Sequence, residues 1–572
     1  MLFKYFPGLF WLQHYTTSTF KNDLWSGLTI AFMLIPQGMG YAMVAGLPPE
    51  TGLYACIFPP IIYALLGTSN KISIGPVALD SILILNGLSL LEPSDPQTYL
   101  ELAITLTLMV GVIQYFFGLI RFGFIANFLS YPVITGYTSA AALVIIASQL
   151  ENMVGVKLEE HSFVPIIGAL ANSFEQWHLV TIAIGLVGLL VVHFGKHLHK
   201  SFPFALLVLI GGMLLSGLLN AKSQGIHVID HIPAGIPSLA LPSLALNHII
   251  DLLPLALTVA LMGYAGSMSI CKSQEQPSDK LHANPNQELL AMGAANIVGS
   301  FFKAFPVSAS FSRSAAFRQA GALTQVSAVI SAVFIVIILL FLTPTFAAFP
   351  LPKALLSAII ISSVIGLFKV TAMRQLWAEN RYEFSIMLAT FIGTLTLGIQ
   401  AGLFIGISLS ITMVIFNTAR PHMTELGAIE EGKLFRNIHR FNEAQIREDV
   451  LIFRFDAPLY FANKDYFVER LYQWMKRRQP GKLRYVIFNA ESVNSIDTSS
   501  IHMLQKVIGN CESLGIKFLI TNAIGPVRDA IKTSSLHDYF SERTVFSSVH
   551  DAILYIDKGI NENAGPALQT NR

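Results

Sequence analysis

Charged residues are scarce in this sequence. Aspartate, glutamate, lysine and arginine make up 13% of its 572 residues, whereas 53% are hydrophobic. Soluble domains of ordinary composition carry about 25% charged residues, so this chain is solvated largely by lipid. The formal net charge of +2 lacks the basic excess of a nucleic-acid-binding protein, and no nucleic-acid partner is expected.

Cysteines and metal-binding motifs are also nearly missing. The three cysteines form no disulfide framework, so we predict free thiols at Cys56, Cys271 and Cys511. A group of histidines between residues 193 and 199 lies in a basic loop, which does not favour a metal ion. No metal, other cofactor or enzymatic activity is predicted.

Long apolar runs are what the sequence has in abundance. Up to about Pro421, runs of about 17–23 residues recur between short polar or Gly/Pro-rich connections. We predict a polytopic α-helical membrane domain over residues 23–420, with about fourteen segments. Several segments are too short, or too rich in glycine and proline, to cross a hydrocarbon core of about 30 Å alone.

The basic residues of the short loops predict the orientation of these segments. If the N-terminus is cytosolic, about ten lysines and arginines lie in inner loops, and the outer loops hold only Lys157, Lys222 and Lys353. Both termini are therefore predicted to be cytoplasmic. Residues 1–22 lack the order of a cleaved signal peptide, and their aromatic side chains predict a segment at the membrane surface.

Charge density rises after residue 421, which indicates that the chain leaves the lipid and continues in water. Residues 421–446 are predicted to be a linker. Residues 447–557 then read as a small α/β domain, with strands at 450–453, 485–488 and 517–520 and helices at 464–477 and 500–513. The polar residues 558–572 are predicted to be a disordered tail.

Two apolar segments share an unusual break. Near Pro76 and again near Pro306, a short extended piece meets a Pro-Val pair inside the apolar region. Proline is tolerated in a first helical turn, so each pair is predicted to mark a helix start at membrane depth. Two facing helix N-termini would attract an anion. The alternative is a pair of proline-kinked packing helices.

Arg313 follows the second break and raises the same choice. An arginine near the bilayer centre costs at least about 2.5–3.5 kcal/mol, so it should face a partner or a cavity. It could form a structural ion pair with Asp80. It could also attract a substrate anion while Ser310 and Ser312 donate hydrogen bonds.

In the first segment, Gln37 and Tyr41 are four residues apart and therefore share a helical face. They could offer an amide and a hydroxyl to a ligand, or hold two helices together.

Two long motifs resemble the sulfate permease (SulP) family of anion transporters. They are IPQGMGYAMVAGLPPETGLYA at 35–55 and NQELLAMGAANIVGSFFKAFPVSASFSRSAA at 286–316. The resemblance implies fourteen segments in a seven-plus-seven inverted repeat, with core and gate domains. It places the anion between the third and tenth half-helices, on Gln37, Tyr41, Val77, Ala78, Ser310, Phe311, Ser312 and Arg313.

The C-terminal domain resembles the sulfate transporter and anti-sigma-factor antagonist (STAS) fold. The match aligns Ser499 with the serine that is phosphorylated in soluble antagonists, although Ser500 stands where a glycine is usual. The resemblance implies that Ser499 could be phosphorylated, with a scaffold or dimer role as the alternative.

One departure from the family pattern concerns the coupling ion. Members that resemble proton-coupled symporters have a glutamate six residues before the lysine closing the eighth segment, and here that position is Gly266. Asp80 instead puts an acid in the third segment. We hypothesise that Asp80 couples transport to H⁺ or Na⁺; the alternative is the ion pair with Arg313.

The resemblance implies secondary active transport of a small inorganic anion, sulfate above all, across the plasma (bacterial inner) membrane by alternating access. Bicarbonate, chloride or a dicarboxylate are alternative substrates. A channel-like or anion-exchange protein, or a membrane sensor without flux, are alternative functions. Besides its anion and the lipid bilayer, the expected partners are a second copy in a homodimer and a cytosolic regulator of the STAS domain.

Overall fold

The computed structural model describes residues 7–8, 11, 15–124, 130–158, 163–198, 204–218, 220–229, 233, 235–275, 282–341, 343, 345–538 and 544–558. The predicted surface segment 1–22 is described only in part, and residues 559–572 of the predicted tail lie outside the described residues. The chain divides into two compact units, Met1–Ser410 and Ile411–Arg572.

In its described residues the first unit is helical, with four two-residue strands. Its first half contains α1 (Thr17–Val44), α2 (Pro49–Tyr54), α3 (Phe58–Leu66), β1 (Ile74–Gly75), α4 (Ala78–Ser89), α5 (Pro96–Leu119), α6 (Tyr131–Val154), α7 (Phe163–Asn172), α8 (Leu179–Leu198) and α9 (Phe204–Leu218). Its second half contains β2 (Val228–Ile229), α10 (Leu246–Gln274), α11 (Pro285–Ser300), β3 (Ser308–Ala309), α12 (Phe311–Gln319), α13 (Val326–Phe341), α14 (Thr345–Ala348), β4 (Leu351–Pro352), α15 (Lys353–Val364), α16 (Val370–Glu379), α17 (Arg381–Thr396) and α18 (Ile399–Ala419), whose C-terminal part belongs to the second unit.

Many of these helices can cross a membrane. By length and composition, seven described helical stretches qualify: α1, α2 with α3, α5, α6, α10, α15 with α16, and α18 from Ala401. Five further apolar helices are shorter. One of them, α4, has 12 residues and therefore rises only about 18 Å, less than a hydrocarbon core of about 30 Å. The prediction of segments too short to cross alone is confirmed.

Local signals fix several helix starts. Pro96 opens α5, where Asp95 Oδ1 accepts hydrogen bonds from the N–H groups of Gln97 and Thr98 at 2.8 and 2.9 Å. Asn284 caps α11 in the same way, just before Pro285. A side-chain acceptor before a proline at the first helical position satisfies donors that the helix itself cannot.

Glycines allow close contact between helices α5 and α11. A Cβ on Gly293 of α11 would lie 2.4 Å from the backbone nitrogen of Tyr115 in α5, and one on Gly111 would lie 2.6 Å from that of Ile297. Only glycine permits this approach, as expected of helix packing within a bilayer.

The second unit is an α/β domain. Its sheet has the order β10-β9-β8-β7-β5-β6, in which β7 to β10 run parallel and β5 is antiparallel to both neighbours. The elements are β5 (Met423–Ile429), β6 (Leu434–Asn437), β7 (Val450–Phe455), α19 (Lys464–Arg477), β8 (Tyr485–Asn489), α20 (Thr498–Ser513), β9 (Lys517–Thr521), α21 (Gly525–Lys532), β10 (Val545–Phe546) and α22 (Val549–Asp557).

The three predicted strands and two predicted helices of this domain are confirmed. The predicted linker over residues 421–446 is wrong, because β5 and β6 lie within it and belong to the domain's sheet. Phe453 of β7, which is fully buried, packs with Phe467 of α19 and Phe488 of β8 in the larger of two cores. The smaller core, beneath α22, includes Leu426 of β5.

Candidate functional site

The two proline-containing breaks meet inside the first unit. Strands β1 and β3 pair in antiparallel fashion, with Ile74 opposite Ala309 and Gly75 opposite Ser308. The N–H group of Ser310 also donates to the carbonyl of Ser73 at 3.2 Å. The predicted meeting of the two breaks is therefore confirmed.

A helix begins after each break, but at different distances from its proline. Helix α4 begins at Ala78 with Val77 as its N-cap, directly after Pro76 as predicted. The predicted start at Pro306 is wrong, because α12 begins at Phe311 with Ser310 as its N-cap.

The backbone donors after Pro306 are engaged outside any helix. Val307 N–H donates to Asn296 Oδ1 at 2.9 Å, and Ala309 N–H donates to Ser267 Oγ at 2.9 Å. Because these donors and the pairing with β1 hold the backbone extended, the helix can begin only after Ala309. Neither Asn296 nor Ser267 was singled out in the sequence, since neither forms a local motif with the proline.

Arg313 lies in the first turn of α12 and is fully buried. Its Nη1 donates to the carbonyl oxygen of Pro76 at 2.5 Å, which joins the two breaks through a side chain. Its Nε and Nη2 have no hydrogen-bond partner among the described residues. Buried donors of a charged group are costly to leave unpaired, so these two favour an anionic partner.

Asp80 does not supply that partner. Its carboxylate is buried and accepts a hydrogen bond from the hydroxyl of Ser308 in the other break. No ion pair joins it to Arg313 in the described structure, so the predicted alternative of a structural ion pair is wrong for this conformation. Helix α10 passes close by, because a Cβ on Gly263 would lie 3.6 Å from Asp80 Oδ2.

Helix α1 brings two more predicted residues into the interior. Gln37 is 6% exposed and Tyr41 is 3% exposed, and Gln37 Oε1 has no hydrogen-bond partner among the described residues. Tyr41 is close enough to Arg313 to interact with it electrostatically, as are Cys56 and Asp80. Three helices thus direct polar groups toward one region.

The remaining predicted site residues lie at the two helix starts. Ala78 is buried and Val77 is half-buried, while the Oγ of Ser310 accepts a hydrogen bond from the N–H of Arg313 at 3.5 Å. Phe311 and Ser312 occupy the first turn of α12, but their side chains lie outside the described part of the structure. Their predicted contacts with an anion stay predictions.

In the second unit, the side chains of Ser499 and Ser500 differ in solvent exposure. Asp497 caps α20, its Oδ1 accepting the N–H of Ser500 at 2.8 Å. Ser499 is exposed in the first turn, whereas Ser500 is buried and its hydroxyl has no described partner. A modifying enzyme could reach Ser499 alone, and its phosphorylation stays a prediction.

The architecture as a whole defines a class. Interrupted helices whose starts meet inside an apolar bundle are typical of secondary transporters. The buried arginine between them indicates that the class transports anions.

The comparisons with known proteins give the family. The model of the sulfate permease family matches residues 20–390, and that of the STAS domain matches residues 442–552. This chain belongs to the sulfate permease family. It is a multi-pass membrane transporter of anions, with a helical transmembrane region of many apolar helices and a C-terminal STAS domain.

Relatives and solved structures support this assignment. Sulfate transporter 4.1, chloroplastic, from Arabidopsis thaliana is 33% identical over 96% of this chain and 82% of its own. Sulfate transporter 1.1 of the same plant is 30% identical over 96% and 87%. The murine Solute Carrier 26 family member A9 anion transporter in the inward-facing state has a TM-score of 0.91 and 25% identity, covering 97% of this chain and 94% of its own. The transmembrane domain of the cyanobacterial bicarbonate transporter BicA shares the fold, with a TM-score of 0.61 and 21% identity over 68% and 98%.

Proposed function

We propose that this chain carries out secondary active transport of sulfate by alternating access. The observation that carries the proposal is the pair of unpartnered donors on Arg313, buried between the starts of α4 and α12. Two Arabidopsis relatives of nearly full length are named as sulfate transporters, which favours sulfate over other small anions.

The geometry suggests how an oxyanion would be held. The first turns of α4 and α12 carry N–H groups without partners in their own helices, and each helix dipole adds about half a positive charge at that end. The guanidinium of Arg313 offers Nε and Nη2, and a planar fork of this kind matches two oxygens of one oxyanion. Nothing in this arrangement requires chemical transformation of the anion.

Radiolabelled sulfate uptake into proteoliposomes tests the proposal. We expect saturable uptake that internal sulfate accelerates by exchange, and competition by a panel of bicarbonate, chloride and a dicarboxylate ranks the alternative substrates. Single-channel currents without saturation would favour a channel-like protein. Stoichiometric sulfate binding without flux would favour a membrane sensor, and either result would overturn the proposal.

We also propose that Asp80 couples transport to H⁺ or Na⁺. Asp80 is buried at the junction of the two breaks, beside α10, where its carboxylate could release a proton or contact a cation. At Gly266, where some relatives carry a glutamate, an added Cβ would meet no atom within 4 Å. Gly266 lies three residues after Gly263, whose Cβ would approach Asp80, so an acid there would share a helical face with that contact.

The Asp80→Asn variant should transport sulfate without responding to proton or sodium gradients. Asp251→Asn, which removes an exposed acid from α10, is the matched control and should respond like the original chain. Gly266→Glu in the Asp80→Asn background should restore the response, because the space for its side chain is open. Gradient dependence that persists in Asp80→Asn would eliminate this role.

We further propose that the protein works as a homodimer in the plasma membrane, with both termini cytoplasmic and a cytosolic regulator for its STAS domain. The excess of basic residues in the inner loops supports the orientation. A membrane-impermeant maleimide should label Lys222→Cys on intact cells and Lys272→Cys only after permeabilisation; the reverse pattern would contradict it. Crosslinking in native membranes tests the homodimer. Recovery of the monomer alone would contradict it.

A further inference from the structure

The second unit contains a basic cavity that transport does not use. It has a volume of about 320 Å³ and is lined by His422, Arg436, Asn437, Arg440, Phe441, Arg454 and Asp456. This volume lies at the lower end of the range for small-molecule sites, about 300–1,000 Å³. We refer to these seven residues as the arginine cavity.

The sheet brings the arginine cavity together from three separate stretches of chain. Strand β5 lies between β6, which carries Arg436, and β7, which carries Arg454. The carbonyl of His422, just before β5, accepts the N–H of Asp456, just after β7, at 3.0 Å. A turn at Asn437 then places Arg440 next to β6. The cavity therefore depends on the two strands that lie in the predicted linker.

One arginine of the cavity is already neutralised. Arg454 Nε and Nη2 donate to the two oxygens of Asp456 at 2.5 and 3.1 Å, and His422 Nδ1 lies 2.6 Å from Asp456 Oδ2. Partial burial would raise the pKa of the Asp456 carboxyl, but hydrogen bonds from Arg454 and His422 outweigh burial and lower it. Asp456 is thus ionised at neutral pH and holds Arg454 in place.

The other two arginines are not neutralised. Arg436 and Arg440 are exposed, and their side chains form no hydrogen bond or ion pair within the described residues. With Arg454 balanced by Asp456, the arginine cavity carries about two uncompensated positive charges. Guanidinium groups of this kind bind tetrahedral oxyanions in bidentate fashion. Phe441, which is 46% exposed, adds an apolar wall.

We propose that the arginine cavity binds a phosphomonoester, held by Arg436 and Arg440 and positioned by Arg454. A ligand with two negative charges would match the uncompensated charge of the site. The phosphate could belong to a soluble metabolite or to a lipid headgroup. His422 follows the end of α18 at Ala419 by three residues, so the chain keeps it within about 11 Å of that membrane-crossing helix.

Titration calorimetry of the full chain in nanodiscs tests the site, with glycerol 3-phosphate as the probe. In phosphatidylcholine nanodiscs we expect saturable binding that Arg436→Ala with Arg440→Ala weakens at least about tenfold. Lys482→Ala with Lys506→Ala removes the same charge from exposed positions outside the cavity and should leave binding unchanged. Both double variants should transport sulfate as the original chain does, which reports that they fold.

A second arm distinguishes the two sources of phosphate. If the natural ligand is a lipid, nanodiscs containing phosphatidic acid should suppress glycerol 3-phosphate binding, because the headgroup already occupies the cavity. Equal binding in both kinds of nanodisc would assign the site to a soluble metabolite. The proposal is overturned if the probe shows no saturable binding in phosphatidylcholine, or if both double variants weaken it equally.

Discussion

At the scale of single residues, Arg313 carries most of the functional argument. Its position after an apolar break made it a candidate site residue from sequence alone, because placing an arginine in the bilayer costs free energy. Its real partner, the carbonyl of Pro76, could not be predicted from sequence. Backbone acceptors have no sequence signature, whereas the acid at Asp80 was a visible candidate. Asp80 instead accepts from Ser308, a residue that the sequence pattern did not single out.

Arg313→Ala should lower sulfate uptake at sub-saturating concentration by at least about tenfold, because it removes charged hydrogen-bond donors that nothing nearby replaces. Arg313→Lys should recover part of the loss, since an ammonium keeps the charge but lacks the planar fork. The matched control is Arg318→Ala, which removes an exposed arginine from the same helix. Concentration-dependent uptake is the measurement, and equal effects of the two alanine variants would count against a site at Arg313.

At the scale of elements, helix starts and strands were predicted correctly where neighbouring residues specify them. The prediction failed where contacts with residues distant in sequence specify them. The start of α4 at Ala78 comes two residues after Pro76, so a signal close by in the chain marks it. The delayed start of α12 depends on hydrogen bonds from Asn296 and Ser267, which are distant in sequence. Strands β5 and β6 were missed for the same reason, because β5 is stabilised by pairing with β7, which is distant in sequence, and the edge strand β6 is stabilised by pairing with β5.

Glycine contacts between α5 and α11 give a prediction at this scale. Gly293→Ala should destabilise the membrane unit by about 1–3 kcal/mol, because its Cβ would overlap the backbone of Tyr115 and push the helices apart. Gly211→Ala on α9 is the control, since a Cβ there meets no atom within 4 Å. Thermal unfolding followed by size-exclusion chromatography should show a lower midpoint for Gly293→Ala alone. Equal midpoints would contradict this account of helix packing.

At the scale of the whole molecule, the chain consists of two compact units with separate cores. Composition alone predicted this division, because charge density changes abruptly near residue 421. The observed division falls between Ser410 and Ile411, inside α18. Sequence could not place it there, since an unbroken apolar helix shows no change in composition. The boundaries of transport and STAS functions along the chain stay predictions.

Separate cores predict separate unfolding. Phe453→Ala should destabilise the second unit by about 3–5 kcal/mol, because the buried ring stacks on Phe488 at 5.1 Å and meets the edge of Phe467 at 5.4 Å. Phe461→Ala is the control, as that ring is 67% exposed. Calorimetry of the full chain in nanodiscs should show one transition moving to lower temperature while the other stays. If both transitions moved together, the units would unfold as one. Sulfate uptake by Phe453→Ala that persists above the shifted transition would show that the membrane unit keeps its transport-competent fold when the STAS core is unfolded.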